Sequence, residues 1–565
     1  MSNELLIKLL DKVGCSKVPL YAREACGYRA TVVNSGEFRR IHALPRVDWL
    51  EFVEQYSDAL QELLRTSRGG QDLWPIQTAA LVSASKYGGA FLPIGVGQGK
   101  SLISLLAPVV MDVERPILLV PAALRDQTKK HVLPQAEKHW LLHPNLKIYG
   151  YSELSLAKNK TLLDDLKPDL IILDECHYLK RKQAGRTKRM VRYFRDNPTT
   201  KCVAMSGTIS NRSIKDWAHI AEWCLGPNSP VPIRWQELCE WADALDEGVN
   251  EKAAVHPGVL MRFCEDGENA RQGFRRRLVE TPGVVASEED SLGVSLRLIG
   301  RDDIKTPKKI KDSIHSLKNT WETPNGDILS EAVALWRHVR ELALGFWYRW
   351  DPPAPEDWLS ARRAWKSYVN ETLKHNRRGL DTELQVWNEC KFERPIPEWK
   401  EWRDIRHTFK INTVAEWEDT FMLDWLCNWM DKTKESSIVW VEHRLFGRKL
   451  SDMSGRKYFG AGDSSILDCK DKVIIASISA HGTGKNLQNY CRNLITCPPT
   501  SGKTWEQLLG RTHRAGQKND EVTCEVLCHV LDFREAVERA YGDARYLEDT
   551  YGNQQKLNYC DRIGI

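Results

Sequence analysis

The run GQGKS at positions 97–101 has the residue types of a loop that binds the phosphates of a nucleotide. Glycine lets backbone N–H groups approach a phosphate, lysine can reach the terminal phosphates, and a hydroxyl can bind Mg²⁺. The run also follows an apolar stretch and precedes a predicted helix, SLISLLAPVV. Such loops usually begin with a glycine where this chain has Ile94, so the run alone leaves an ordinary turn open. The residues that we predict to bind nucleotide here are Gly97, Gly99, Lys100 and Ser101.

Two acidic residues, Asp174 and Glu175, directly follow the apolar run at 170–173. A carboxylate at the end of a strand can hold Mg²⁺ through water, and a neighbouring one can orient and deprotonate an attacking water. We therefore predict that Asp174 binds Mg²⁺ through water, together with Ser101, and that Glu175 is the base. Taken alone, the same pair could be an acidic turn at the end of a strand.

Short apolar runs recur along the chain and predict the elements that position these residues. Residues 88–208 contain four of them, GGAFLPIG, PILLVPA, PDLIILDECH and KCVAMSGT. Residues 436–530 contain four more, SSIVWVEH, KVIIASISAHGTG, RNLITC and VTCEVLCHV. Such runs are typical of buried parallel strands, whereas residues 212–435 show helical spacing, as in EAVALWRHVRELALGFWYRW. The pattern predicts an α/β fold in which two parallel-sheet lobes flank a large, mainly helical insertion.

The same patterns set the predicted domain bounds. The predicted regions are an N-terminal accessory segment at 1–70, a first lobe at 71–211, a helical, Trp-rich insertion at 212–435, a second lobe at 436–545 and a C-terminal tail at 546–565. The insertion is Trp-rich because 16 of the 21 tryptophans fall between Trp217 and Trp429. Tryptophans at helical spacing are most often core residues, although an exposed one could stack on a nucleic-acid base.

Six runs, in order along the chain, resemble the motifs of helicase superfamily two. They are LWPIQ at 73–77, GQGKS at 97–101, DECH at 174–177, SGT at 206–208, GTGKNL at 482–487 and QLLGRTHRAGQ at 507–517. The last run is most like the Swi/Snf-like ATPase and translocase branch, and the set is most like bacteriophage helicases of the DEAD/DEAH type. Two features depart from the family: Cys176 replaces the usual alanine, and the proline that usually follows Thr208 is missing.

The resemblance implies two RecA-like P-loop lobes that hydrolyse ATP with Mg²⁺. It implies that Gln77 recognises the adenine, and that Gly484 and Gln507 also belong to nucleotide-binding segments. Arg511 and Arg514 would reach the γ-phosphate from the second lobe, where guanidinium groups stabilise the charge of the transferring phosphoryl group. Their spacing of three would place them on one face of a helix. The catalytic residues predicted in this way are Lys100, Asp174, Glu175, Arg511 and Arg514.

A basic run begins just after the DECH run. Seven basic residues and no acidic one lie between Lys180 and Arg192. Because basic side chains can follow a phosphate backbone without reading sequence, we predict that Lys180, Lys182 and Arg186 contact DNA. A solvated basic face is the alternative. Further basic clusters lie at 275–277 and 305–311.

The composition bounds the remaining possibilities. A net charge of +5 on 565 residues is too small to prove a nucleic-acid partner. The 15 cysteines are scattered without a CxxC pair, which favours reduced thiols over disulfides or a zinc site. No apolar stretch reaches the ~18 residues of a membrane helix. We expect a soluble, cytoplasmic protein with no membrane partner, in the host cytoplasm if its source is viral.

The function that these expectations favour is an ATP-dependent DNA helicase or translocase of the Swi/Snf-like type, an ATP hydrolase that moves along duplex or branched DNA independently of sequence. Replication or recombination proteins are possible further partners. Two alternatives stay open: an ATP-driven remodeller of a protein–nucleic acid complex, and the motor subunit of a restriction or defence assembly. The sequence does not distinguish strand separation from sliding along duplex DNA.

Overall fold

The chain forms two compact units. The first comprises residues up to Asp290 together with Asp543–Gln555, and the second comprises Ser291–Gly542 together with Lys556–Ile565. The computed structural model describes residues 30–95, 97–182, 184–207, 213–246, 255–286, 294–324, 329, 332–375, 380–514, 516–552 and 554–564.

The first unit is built on a five-stranded sheet in which every pair of neighbours is parallel. The strand order is β1-β5-β4-β2-β3. The strands are β1 (Ala90–Leu92), β2 (Pro116–Val120), β3 (Lys147–Gly150), β4 (Leu170–Asp174) and β5 (Lys201–Met205). Four of them lie on the four apolar runs, whereas β3 was not predicted because its residues alternate between exposed and buried positions.

Helices cover both faces of this sheet, and successive residues of one strand therefore pack into different cores. Ile117 and Leu119 belong to one hydrophobic cluster, while Leu118 and Val120 belong to another. A strand that is buried on both faces reads as a continuous apolar run, which explains why the pattern was recognisable. The α-helices of this unit are α1 (Gly36–His42), α2 (Leu50–Leu64), α3 (Pro75–Tyr87), α4 (Lys100–Val110), α5 (Ala122–Gln127), α6 (Leu133–His139), α7 (Leu162–Leu166), α8 (Gly185–Asp196), α9 (Ala218–Leu225), α10 (Trp235–Leu245) and α11 (Ala270–Val279).

The second unit contains a seven-stranded sheet, again with only parallel neighbours. The strand order is β10-β11-β9-β12-β13-β6-β14. The strands are β6 (Ser295–Arg301), β9 (Ser437–Val441), β10 (Tyr458–Phe459), β11 (Val473–Ser477), β12 (Arg492–Ile495), β13 (Glu521–Leu527) and β14 (Asp561–Ile563). The two parallel sheets confirm the predicted α/β fold of two RecA-like lobes.

A separate antiparallel pair, β7 (Phe346–Trp350) and β8 (Thr413–Trp417), also belongs to the second unit. Three helices between these strands share a small core of their own, which includes Trp365, Val386 and Trp399. The α-helices of the unit are α12 (Lys308–Thr320), α13 (Ala332–Ala343), α14 (Glu356–His375), α15 (Glu383–Phe392), α16 (Pro397–Ile405), α17 (Phe421–Lys432), α18 (Arg444–Ser454), α19 (Ile478–His481), α20 (Gly502–Leu509), α22 (Lys556–Tyr559) and α21 (Leu531–Tyr551), of which the residues from Asp543 onwards belong to the first unit. Among the described residues, no helix is long and apolar enough to cross a membrane.

The structure divides the predicted insertion at 212–435 between the two units. Its first part, including α9 to α11, packs with the first sheet, whereas β6 is a strand of the second sheet. The predicted tail at 546–565 is likewise structured, because Leu547 packs in the core of the first unit and β14 pairs with β6. In β6 only two of the seven residues are buried, and β14 has three residues that are all exposed, so neither strand shows a continuous apolar run.

One helix predicted from spacing is interrupted. The run EAVALWRHVRELALGFWYRW forms α13 only as far as Ala343, and its last five residues form β7. Gly345 has a φ of +88° and a Cβ built there would lie 2.3 Å from the carbonyl oxygen of Asp419. Only glycine fits this left-handed, closely approached position, so the helix ends there.

A buried carboxylate joins three elements of the second unit. Glu525 in β13 is fully buried and accepts hydrogen bonds from Arg492 Nε (2.8 Å), Arg301 Nη1 (3.0 Å) and Trp429 Nε1 (3.1 Å). The two arginines lie on the strands that flank β13 in the sheet. Removing one partner of such a group leaves buried charges without compensation.

Glu525→Gln should lower the stability of the second unit by roughly 3 kcal/mol, because two arginines lose the anion that they share. The matched control is Glu521→Gln in the same strand, since Glu521 pairs with Arg297 in a partly exposed salt bridge. Such a pair contributes less than about 1 kcal/mol. Thermal unfolding of both variants measures the difference, and equal unfolding midpoints would contradict this role for Glu525.

Candidate nucleotide site

The predicted phosphate loop lies between β1 and α4. Gly97 and Gly99 have φ values of +95° and +74°, a left-handed conformation that favours glycine. Lys100, the first residue of α4, is buried and its Nζ donates to the carbonyl oxygens of Ile94 (2.9 Å) and Gly95 (2.7 Å). The ammonium group is thus held inside the loop, at the N-terminus of a helix, where a phosphate would be favoured.

Gln77 lies against this loop. Its Nε2 donates to the carbonyl oxygen of Gly99 (3.4 Å), and its Oε1 accepts from the backbone N–H of Trp74 (2.8 Å) at the start of α3. A Cβ built on Gly99 would lie 2.0 Å from Gln77 Nε2, so a larger residue at Gly99 would displace the amide. The structure therefore brings Gln77 to the loop, and the amide bridges α3 to the loop backbone.

Asp174 ends β4 and is buried. Burial and the neighbouring carboxylate of Glu175 raise the pKa of Asp174 to about 7, while the positive charge of Lys100 opposes the rise. A cation bound beside Asp174 would relieve this unfavourable burial of charge. Asp174 and the exposed hydroxyl of Ser101 offer the oxygen ligands that Mg²⁺ prefers, so the residues present fit the predicted metal.

A hydroxyl from β5 joins the residues that follow β4. Ser206 Oγ donates to Glu175 Oε2 (3.0 Å) and lies 2.9 Å from His177 Nδ1, which is itself 3.1 Å from the same carboxylate oxygen. Glu175 has a φ of +57°, an uncommon conformation that turns the chain immediately after the strand. The sequence indicates no role for Ser206 beyond its motif, yet its hydroxyl connects the segment after β5 to the segment after β4.

The position of β5 explains this connection. Because β5 lies between β1 and β4, the chain that follows it passes between the phosphate loop and the acidic residues. A Cβ built on Gly207 would lie 3.1 Å from the carbonyl oxygen of Ile94, so glycine permits close contact with the loop. Thr208, the third residue of this predicted motif, lies outside the described residues.

Tyr151, at the end of β3, was missed entirely. Its hydroxyl donates to the backbone oxygen of Asp174 (2.9 Å), and its ring stacks on Tyr178 with centroids 5.4 Å apart. These two contacts connect the end of β3 to the turn that carries the acidic residues. No local sequence pattern marks Tyr151, because the contact spans 23 residues of chain.

The two predicted motifs of the second unit also come together. Arg511 Nη1 donates to the carbonyl oxygen of Lys485 (3.1 Å), and the N–H of Leu487 donates to the carbonyl oxygen of Arg511 (3.1 Å). Arg511 also donates from Nε to the carbonyl oxygen of the buried Gln507 (2.6 Å). Gly484 has a φ of +70°, which lets the first segment turn towards the second.

The expectation that Arg511 and Arg514 share a helix face is wrong. Helix α20 ends at Leu509, and both arginines lie in the turns that follow. Arg511 is buried among the backbone carbonyls of its own unit, whereas Arg514 is half-buried and donates to the side-chain oxygen of Asn486. Of the two, Arg514 keeps the more accessible guanidinium.

The basic run after the acidic residues divides by burial. Arg189 is buried and donates from Nη1 to the backbone oxygens of Leu154 (2.7 Å) and Leu156 (2.8 Å), so it belongs to the fold. Arg186 is half-buried and donates from Nε to the carbonyl oxygen of Tyr178 (2.8 Å). Lys180 and Lys182 are half-buried as well.

The second basic cluster is also occupied by structural contacts. Arg277 is buried and donates to the carbonyl oxygens of Leu44 (3.1 Å) and Pro45 (2.7 Å). Arg276 pairs with Glu268 (3.0 Å). We therefore assign Arg276 and Arg277 to the packing of the first unit.

A separate group of possible metal ligands lies in the second unit. One ligand atom from each of Glu442, His443 and Cys497 lies within 4.8 Å of the others. Arg340 Nη2 donates to Glu442 Oε2 and to the carbonyl oxygen of Pro498, both at 2.9 Å. Because a guanidinium already compensates the carboxylate, we give this cluster a structural role.

No protein-family model matches the chain, and no curated protein matches it. Among solved structures it is similar to Mycobacterium smegmatis helicase Lhr bound to ssDNA and AMP-PNP, with a TM-score of 0.38 and 11% sequence identity. The match covers 92% of this chain and 51% of that chain, so the chain spans about half the length of that helicase. At this identity no residue role is transferred from that protein.

At a nucleotide-hydrolysing site of the kind that these residues predict, Ser206→Ala should reduce turnover roughly 10- to 100-fold, the cost of losing a group that orients a functional side chain. Nucleotide affinity should change little, because Ser206 contacts Glu175 and His177 and not the phosphate loop lysine. Steady-state kinetics together with binding of a fluorescent ATP analogue would measure both. Wild-type turnover in Ser206→Ala would show that Glu175 needs no orienting hydroxyl.

Proposed function

We propose that this protein is an ATP-dependent DNA helicase or translocase of the Swi/Snf-like type, which couples ATP hydrolysis to movement along duplex or branched DNA. One observation carries the proposal. Lys100 follows β1, Ser206 follows β5, and Asp174 with Glu175 lies at the end of β4; these three strands are adjacent in one parallel sheet, in the order β1-β5-β4. Ligands of open α/β sheets bind outside the carboxyl ends of such strands.

The chemistry follows from the residues of the first unit. Lys100 and the backbone of the glycine loop would bind the terminal phosphates of ATP. Ser101 and Asp174 would hold Mg²⁺, which when bound neutralises charge on the phosphate oxygens. Glu175, kept in place by the Ser206 hydroxyl, would accept the proton of the attacking water.

An arginine of the run at 507–517 would complete the proposed chemistry. A guanidinium group stabilises the charge that develops on a transferring phosphoryl group. Arg514 is the better candidate, because Arg511 is engaged by the carbonyl oxygens of Gln507 and Lys485. We propose that Arg511 instead holds together the two motifs that carry Gly484 and Gln507.

DNA is the proposed track. Support comes from the start of the basic run, which lies between the acidic residues and α8 and in which Lys180 and Lys182 keep part of their surface accessible. Arg186 would take part less directly, since its Nε is already bonded to the backbone. Contacts of this kind bind phosphates without regard to sequence.

Lys100→Ala should weaken ATP binding and nearly abolish hydrolysis, because the phosphates lose their buried cation. Glu175→Gln should still bind ATP but hydrolyse it poorly, because the water loses its base while the Mg²⁺ ligands remain. Equilibrium binding and phosphate release measure the two effects separately. Rapid steady-state hydrolysis by either variant would refute the assignment.

Replacing both Lys180 and Lys182 with Gln should weaken binding to unrelated duplexes equally. The slope of log affinity against log salt should fall by roughly 0.9 for each DNA phosphate that the variant no longer neutralises. Arg195→Gln is the control, because Arg195 lies at the other end of α8 and pairs with Asp196 (2.8 Å). A salt slope equal to that of wild type would indicate that the basic run is only a solvated face.

The effect of DNA on ATP hydrolysis separates the proposed function from the first alternative, a remodeller of protein complexes. A motor that remodels a protein complex without gripping DNA should hydrolyse ATP at the same rate with and without duplex DNA. Stimulation by DNA in the wild type, and its loss when Lys180 and Lys182 are replaced, would favour the translocase.

A further inference from the structure

Most of the tryptophans between 217 and 429 are packed inside the two units. All 16 lie in the described part of the chain, and of these only Trp235 and Trp321 are exposed. Trp235, at the start of α10, keeps 55% of its surface accessible. More than half of this large ring is therefore open to solvent.

The segment that leads to Trp235 is held rigidly. Arg40 of α1 donates from Nη1 to the carbonyl oxygens of Pro227 (2.6 Å) and Ser229 (2.7 Å), and from Nη2 to that of Val231 (2.9 Å). Glu37, which pairs with Arg40, accepts from the backbone N–H of Ile233 (2.7 Å). One ion pair on α1 thus fixes the path of a seven-residue segment that has only one short 3₁₀ turn of its own.

This fixed segment ends in three exposed side chains. Ile233 is 40% exposed, the side chain of Arg234 is 75% exposed, and Trp235 follows directly. Apolar and aromatic groups that are held out into solvent by a rigid scaffold are characteristic of binding surfaces. Because the backbone is already ordered, a ligand would bind here without first fixing a loop.

The charge around Trp235 indicates the kind of ligand. Lys182 Nζ lies 4.4 Å from the centroid of the Trp235 ring, and burial lowers the pKa of this lysine. Arg181, next to Lys182, is exposed. Arg234, which is mostly exposed, lies 3.7 Å from Glu237 in a salt bridge that phosphate could replace. The surface therefore combines a partly accessible aromatic ring with cations from two segments, which suits a ligand that has both a flat π-face and negative charge.

We propose that Trp235 is a stacking platform for an unpaired base of single-stranded DNA, with Arg234 and Lys182 beside it to bind the adjoining phosphates. Base stacking on an aromatic side chain needs a free base face, which a continuous duplex does not offer. The platform therefore selects the unpaired segment of a branched or opened DNA. This inference rests on the proposed function, since it specifies which DNA the first unit contacts.

Trp235→Ala should weaken binding of a short single-stranded oligothymidine roughly 5- to 100-fold, the range for loss of one stacked base. Trp235→Phe should restore most of the affinity, because a smaller ring still stacks. The affinity for a blunt duplex and the salt slope should both stay at wild-type values, because stacking releases no counterions. Fluorescence anisotropy with the full-length chain measures all three.

Trp321→Ala is the matched control, because Trp321 is the other exposed tryptophan between Trp217 and Trp429 and belongs to the second unit. Arg40→Ala is a second, independent variant: it frees the segment 227–233 without touching Trp235, and it should also weaken single-strand binding while thermal unfolding confirms that the first unit is folded.

Three results distinguish a failure of the stacking platform from a failure of the proposed function. Duplex-stimulated ATP hydrolysis with equal single-strand affinity in Trp235→Ala and Trp321→Ala would overturn the platform and leave the translocase standing. Equally weakened binding of single strand and duplex would also overturn it, since that result would indicate a backbone contact. A wild-type chain that binds no DNA at all would overturn both.

Discussion

The candidate site depends on one constraint, the insertion of β5 between β1 and β4 in a parallel sheet. The strand carries Ser206 into the space between the phosphate loop and the acidic turn, where its hydroxyl meets Glu175 and lies beside His177. A parallel sheet brings the carboxyl ends of its strands to the same edge. Residues separated by 31 positions in the chain therefore become neighbours.

Buried charge is managed in different ways in the two units. In the first, Asp174 lies beside a second carboxylate, and burial leaves it with a raised pKa that a bound cation would relieve. In the second, Glu525 is buried between two arginines and an indole N–H, so its charge is already compensated. A buried carboxyl group whose pKa is raised is typical of functional sites, whereas the paired arrangement around Glu525 stabilises the fold.

Pairing within the fold also decides which basic residues are available to a ligand. Arg189 and Arg277 donate to backbone carbonyls inside the first unit and are buried. Lys182 lies over the exposed ring of Trp235. Arg40 shows a third use, since its guanidinium orders the surface segment that presents that ring. A cluster of basic residues in the sequence therefore contains both buried structural residues and residues that are accessible to a ligand.

The sequence by itself determined the α/β fold and the glycine turn before α4, because both are local: a strand buried on both faces reads as an unbroken apolar run, and the turn needs only neighbouring residues. It did not determine the half-exposed strands β3, β6 and β14, or the end of α13 at Gly345. Only the tertiary structure decided that Ser206 orients Glu175, that Arg511 lies beyond a helix and faces inward, and that Trp235 stays exposed. The physical reason is that burial and long-range hydrogen bonds arise from packing, which the type and spacing of residues do not specify.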